Sequence, residues 1–200
     1  MKRAPRWTVT VGGLAALVLG VLLGLSPYRS HDGFPHALIR ESVDVTEPCE
    51  RVHAYLGDSD NAREWSVFVD HITALNPDSV PDGAVGSIRR SFKNADESGM
   101  RWDETIVDVT PTRRLLTVYG ITDSPAPSGE LLTEQIYEPL GGSGCRLRFT
   151  LFLRDAPSLG DALLMRLGGW EVSRIFRANI ANVKALVEGS SQGAAPVEAS

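Results

Sequence analysis

Two hundred residues suit one ordinary domain plus whatever segment precedes it. Hydrophobic residues at 42% and charged residues at 22% are globular proportions, which excludes a disordered chain, and the absence of self-similarity at periods of roughly 20 to 50 residues excludes a solenoid or propeller. The formal charge of −5 falls to −8 once the cationic Lys2, Arg3 and Arg6 are set aside, so nucleic acid is excluded as a partner of the body and strong adhesion to anionic headgroups is disfavoured.

From Trp7 to Tyr28 the chain has 22 residues without a charge, about 33 Å as a helix against about 30 Å of hydrocarbon. A transmembrane anchor is expected over 7–28. The basic N-terminus, 1–6, keeps that end cytoplasmic and sends the remainder across the membrane. The competing expectation is a cleaved secretory signal and a secreted protein: Gly24 and Ser26 have the small-residue spacing, although Pro27 follows them. No cysteine follows the stretch, which excludes a lipoprotein.

Residues 29–36, with Ser, His, Asp, Gly and Pro, read as a tether. Ala37 to Val45 alternates as a first strand; Thr46 is expected to cap a short helix from Cys49 to Leu56, with Pro48 in its first turn. A second helix or turn is expected around Asn61 to Phe68. Six strands follow in a meander, at His71–Leu75, Gly86–Lys93, Met100–Val109, Arg114–Tyr119, Leu131–Glu138 and Arg146–Arg154, separated by Gly, Pro, Asn and Asp turns. After Pro157 the period becomes helical to Glu188, with Leu164, Gly168, Val172, Ile175, Asn179, Val183 and Leu186 on one stripe. Gly168-Gly169 suggests a bend or a close approach to the sheet. The Ser/Gly/Ala/Pro tail, 189–200, reads as disordered.

One strand, two short helices, six strands and a long helix make an α+β domain, a seven-stranded antiparallel sheet wrapped around a C-terminal helix. Several segments carry a resemblance to a family. They are Asn61-Ala62-Arg63-Glu64-Trp65-Ser66-Val67-Phe68-Val69, Gly83-Ala84-Val85-Gly86-Ser87, Trp102-Asp103-Glu104-Thr105-Ile106-Val107-Asp108 with Pro111 and Arg113-Arg114-Leu115, and Gly144-Cys145-Arg146-Leu147. In order and spacing, residues 37–188 resemble the START-like, or helix-grip, superfamily of polyketide cyclases/dehydrases, plant allergen-type carriers and lipid-transfer domains. The resemblance implies a cavity between sheet and last helix that holds a hydrophobic small molecule or lipid without a cofactor. The alternative is an enzyme of the polyketide cyclase/dehydrase type, and a third reading is an interaction module with a filled interior.

Alternation places Leu147, Phe149, Leu151 and Leu153 toward the cavity and Arg146, Arg148 and Arg154 away, with Glu134 and Glu138 as outer-face partners for those arginines. Leu131, Thr133, Gln135 and Tyr137 then point inward, and Gln135 and Tyr137 become either ligand-orienting groups or each other's partners. The ligand-lining set is Trp65, Trp102, Tyr119, Gln135, Tyr137, Phe149 and Leu151. Glu104 shares a face with Trp102 and Ile106; inward, it would be a desolvated carboxylate able to act as acid or base, and as the sole catalytic candidate it competes with an arginine-paired surface role. Val107 and Val109 compete for the same inner face. His31, His36, His53 and His71 show no metal-ligand spacing, so no metal site is expected. In the helix-grip arrangement the first and last strands are antiparallel neighbours. That brings Cys49 near Cys145 and makes them either a disulfide or two free buried thiols.

Overall fold

The computed structural model describes residues 6–31, 34–123, 130–153 and 158–192, without the side chains of 6–10, 29–37 and 190–192. Helix α1 (Arg6–Leu25) leads to β1 (Arg29–His31) and β2 (Phe34–Val45). Next come α2 (Cys49–Gly57), a 3-10 turn (Ser59–Asn61) and α3 (Ala62–Trp65). Six strands follow: β3 (His71–Ala74), β4 (Ile88–Phe92), β5 (Arg101–Thr110), β6 (Arg113–Tyr119), β7 (Leu131–Pro139) and β8 (Cys145–Leu153). Helix α4 (Leu159–Gln192) closes the described chain. The strands form one antiparallel sheet in the order β1-β2-β8-β7-β6-β5-β4-β3. Strand β2 inserts beside β8 with Val45 opposite Cys145, so first and last long strands are neighbours.

Three sequence expectations change at the amino end. The tether is not a loop: 29–31 form an edge strand on β2, and β2 begins at Phe34, which gives eight strands rather than seven. Among the described residues no helix is long and apolar enough to cross a membrane, where an anchor was expected over 7–28. Helix α1 stops at Leu25, and Ser26 and Tyr28 turn back into the body, where the Ser26 hydroxyl donates to the Arg166 carbonyl and Arg166 Nη1 donates to the Tyr28 carbonyl at 3.1 Å. Thr46 does not cap α2. Its N–H and hydroxyl both donate to Glu188 Oε1, at 2.8 and 3.0 Å, tying the β2–α2 corner to α4.

The concave face of the sheet is covered by α4. Val45, Leu147 and Phe149 pack against Ile180, Val183 and Val187, while Ile39, Leu151 and Leu153 pack against Met165, Val172 and Phe176. Asn179 Oδ1 accepts from the Val67 N–H and Asn182 Nδ2 donates to the Trp65 carbonyl, so the helix also fixes the segment after α3. The buried stripe on the first half of α4 is one residue out from the expected one: Met165 and Gly169 face inward, and Leu164 and Gly168 face solvent. Leucines stand on both sides of that half, so periodicity alone does not choose between them. The expected glycine contact is with Tyr28 rather than with the sheet, since a Cβ on Gly169 would stand 3.0 Å from Tyr28 Cβ. The helix runs on to Gln192, past the expected start of a disordered tail, and 193–200 lie outside the described residues, as does the 125–129 loop.

Candidate functional site

Adjacent arginines in a strand point to opposite faces, and β4 and β6 each carry such a pair. Arg90 and Arg113 turn outward to surface carboxylates, Arg90 to Asp103 and Arg113 to Asp108 and Glu134. Arg89 and Arg114 turn inward, and both are buried. The register places Arg89 opposite Glu104 and Arg114 opposite Gln135, so polar side chains run in rows across β4 to β7 on the concave face.

The Arg114 guanidinium donates to Gln135 Oε1 at 3.2 Å, to the Tyr137 hydroxyl oxygen at 3.1 Å and to the His53 carbonyl at 3.2 Å. All three partners are neutral. Its Nε is buried without a hydrogen-bond partner among the described residues. Desolvation pulls this guanidinium below its ordinary pKa, and desolvation pushes the Tyr137 phenol up, so the phenol stays protonated and donates to Gln135 Oε1 at 2.6 Å. Gln135 and Tyr137 therefore do point inward and bond each other, with Arg114 as the third member. Gly57 makes room for that member: a Cβ there would lie 2.8 Å from Arg114 Nη2.

Glu104 also faces inward. It accepts from Trp102 Nε1 at 2.7 Å, from the Ser91 hydroxyl at 3.3 Å and from Arg89 Nη2 at 3.3 Å. All three of these bonds are donated to the carboxylate, so it serves as the anchor of Arg89. From Arg89 the network continues through the Ser59 hydroxyl, at 3.3 Å, to Asp82, which accepts from the Ser59 N–H and hydroxyl at 2.8 and 2.9 Å.

Two open clefts meet at His53. One of about 450 Å³ is lined by His53, Ala54, Gly57, Asp58, Asp82, Gly83 and Arg114. The other, of about 380 Å³, is lined by Glu50, His53, Val109, Thr110 and Pro111. The sequence-predicted ligand set divides accordingly. Gln135 and Tyr137 belong to the Arg114 cluster. Phe149 and Leu151 are packed under α4, with Trp65 edge-on to Phe149 at 6.4 Å and its indole N–H unpartnered among the described residues. Trp102 bonds Glu104 and stacks on Phe68 at 5.9 Å. Tyr119 is a correction: it pairs with Asp103, on the face opposite Glu104, and its hydroxyl bonds Thr105 Oγ1 at 3.0 Å. The inner-face competition on β5 is settled by an irregularity between Ile106 and Asp108, which buries Ile106 and leaves Val107 exposed. Of the outer pairs, Glu138 bonds Arg148, whereas Glu134 goes to Arg113. Sequence reasoning missed Arg89, Arg114, Ser59 and Asp82. The signal for the first two was the doubled arginine within a strand.

Cys49, at the start of α2, and Cys145, at the start of β8, form a disulfide with Cα atoms 4.9 Å apart. It pins α2, and with it His53 and Gly57, to the sheet. No group of His, Cys, Asp and Glu able to hold a metal occurs among the described residues.

Solved structures share this architecture. Protein CV1439 from Chromobacterium violaceum is 21% identical with a TM-score of 0.51, covering 76% of this chain and 96% of that one. TTHA0849 from Thermus thermophilus is 17% identical with a TM-score of 0.57, covering 77% and 99%. The di-domain ARO/CYC StfQ from the steffimycin biosynthetic pathway is 14% identical with a TM-score of 0.59, covering 78% of this chain and 51% of that chain. At these identities the likeness is one of fold. No curated protein matches the chain. Residues 36–188 match the family described as polyketide cyclase / dehydrase and lipid transport, and the chain belongs to that family.

Proposed function

We propose that the protein binds a hydrophobic small molecule or lipid that carries a polar, acceptor-bearing end, without transforming it. The observation that supports this most is Arg114: a buried guanidinium with only neutral partners and an unused Nε, in the wall of a 450 Å³ cleft. A buried charge without a hydrogen-bonded counter-charge costs stability, the more distant Asp82 carboxylate offsetting only part of it, and a ligand oxygen arriving through the cleft would offset that cost. The apolar part of the ligand would lie along Trp65, Phe149 and Leu151, which requires α4 to yield locally. Mass spectrometry of organic extracts from gently purified protein tests the reading. A co-purifying apolar molecule with a carboxylate, phenol or carbonyl is expected; an extract matching that of the Arg114→Met protein would count against it.

A second reading, a cyclase or dehydrase acting on a polyketide, draws on the family description and on the neighbour from a steffimycin pathway. The inward Arg114, Gln135 and Tyr137 would then steer an enolate oxygen. Turnover of a poly-β-carbonyl substrate, abolished by Tyr137→Phe, would favour it over simple binding.

Localisation is a separate part of the proposal and rests on the sequence: a single membrane pass over 7–28 with the N-terminus cytoplasmic, or secretion after cleavage. The uncharged stretch and the basic residues at 2, 3 and 6 support it, as does the outward exposure of Val11, Leu14, Leu17, Val18 and Val21 on α1. A reporter active only after export, fused behind Ser200, is expected to be active. Activity of a cytoplasm-only reporter at that position would reject the topology.

A further inference from the structure

Helix α4 changes character along its length. From Ser173 onward its inward residues fill the concave face, and its exposed residues are charged or small, Arg174, Arg177, Ala181, Ala185 and Gly189, with the exposed Glu171–Arg174 pair at the transition. Before that point the outer side is apolar: Leu159, Leu163, Leu167 and Trp170 recur every three or four residues, with Leu164 beside them, and all five are exposed, Leu159 at 81% and Leu164 at 56%. The inward side of the same turns is already occupied by Met165, Gly169 and Val172 packing toward Tyr28, Ile39 and Leu153. The helix start is well formed, since Ser158 accepts from the Asp161 N–H and donates to its carboxylate. The exposed leucines are thus a fixed surface on an ordered helix.

What lies beside this surface identifies its occupant. The point where α1 enters the body is stapled to the same turns of α4 by Ser26 to the Arg166 carbonyl, by Arg166 to the Tyr28 carbonyl, and by the close approach of Gly169 to Tyr28. At about 1.5 Å per residue the whole stripe lies within roughly 15 Å of that staple. We infer that the amino-terminal half of α4 docks on the lipid bilayer into which α1 inserts, lying at the interface with its leucines in the acyl boundary and Trp170 at headgroup level. The inference rests on the reading that α1 is membrane-embedded. It adds a fixed orientation, in which the end of the concave face beside Tyr28, Leu151 and Leu153 is turned to the membrane, from which an apolar ligand would be exchanged.

The test uses the full chain with Trp7→Phe, which leaves Trp65, Trp102 and Trp170 as emitters, reconstituted into phosphatidylcholine vesicles containing brominated acyl chains. Flotation first reports whether α1 holds the protein on vesicles; failure to float overturns the anchoring reading and this inference with it. In floated protein, bromine is expected to quench part of the emission, and adding Trp170→Phe is expected to abolish the quenched part. Leu163→Glu with Leu167→Glu, both at exposed positions, is expected to do the same while cooperative unfolding is retained. Floated protein quenched equally with and without Trp170, or unaffected by the two glutamates, overturns the docking while leaving the anchor intact. Efficient cross-linking between copies through Leu163→Cys, with Trp170 unquenched, assigns the surface to a second copy and also overturns it.

Discussion

The β2–β8 end of the concave face and the β4–β7 span solve opposite problems on the same sheet. Under α4 the inward residues Val45, Leu147 and Phe149 pack on Ile180, Val183 and Val187, and Ile39 and Leu151 pack on Met165, Val172 and Phe176, and burial there is close to pure gain. The one charge at that end, Glu41, is met from the helix by Ser173 and Arg177. Across β4 to β7 the inward rows instead carry Arg89, Glu104, Arg114, Gln135 and Tyr137. Such a network at best breaks even against an apolar filling of the same volume. The first region holds the fold together and the second is retained at a cost, which is the physical ground for placing function there.

The disulfide gives the largest expected effect, because it joins the two regions through α2. Replacing Cys49 and Cys145 by alanine together opens a loop whose ends are 96 residues apart, and up to about 4 to 5 kcal/mol of stability should be lost in the chain-entropy account. Urea unfolding of the double variant measures this; an unchanged midpoint would remove the bridge from the account. Next, Phe149→Ala should cost about 3 to 5 kcal/mol, since its ring is buried edge-on between Trp65 and Phe176. A loss below about 1 kcal/mol would mean that the space under α4 is loose enough to collapse, or already open to a ligand.

A smaller effect is expected from pH. Burial and the neighbouring Arg114 charge hold the His53 imidazole below its ordinary pKa of 6.5. As pH falls through 6.5 the unfolded chain takes up the proton first, so stability declines from there toward the folded value and is unaffected above it. Urea midpoints at about pH 7.5 and about pH 5.5 should differ in the natural protein and converge in His53→Gln. Asp44 and Glu188, whose carboxyls are lowered by hydrogen bonds from Arg146 and from the Thr46 N–H, act only at more acidic pH. An undiminished slope in His53→Gln would assign the pH dependence elsewhere.

The β-meander and the long helix were legible because strands and helices announce themselves by period and by turn residues. Alternation along β8 and β7 also carries the inward direction of Phe149, Leu151, Gln135 and Tyr137. Tyr119 was placed in the lining set without that test: in β6 it alternates with the inward Arg114, Leu116 and Val118 and so faces outward. Arg89 and Arg114 were passed over because a charged residue in a strand is ordinarily assigned to the outside, although two adjacent arginines cannot both face outward in a regular strand. The Thr46 cap failed because Glu188, 142 residues away, offers both its N–H and its hydroxyl an acceptor. Long-range partners of that kind are invisible to local rules.

The central claim is that Arg114 is kept for a ligand and not for the fold, and Arg114→Met tests it most directly. The methionine fills the aliphatic part of the space and leaves the Tyr137–Gln135 bond in place. Stability in urea and uptake of the anionic fluorophore anilinonaphthalene sulfonate are measured on the same preparation. The account predicts stability unchanged or raised, by up to roughly 1 to 4 kcal/mol, as when other buried charges are replaced by apolar groups, together with weakened uptake. A loss of about 3 kcal/mol or more, with uptake by the folded fraction unchanged, would show Arg114 to be a strut of the fold and would contradict the claim.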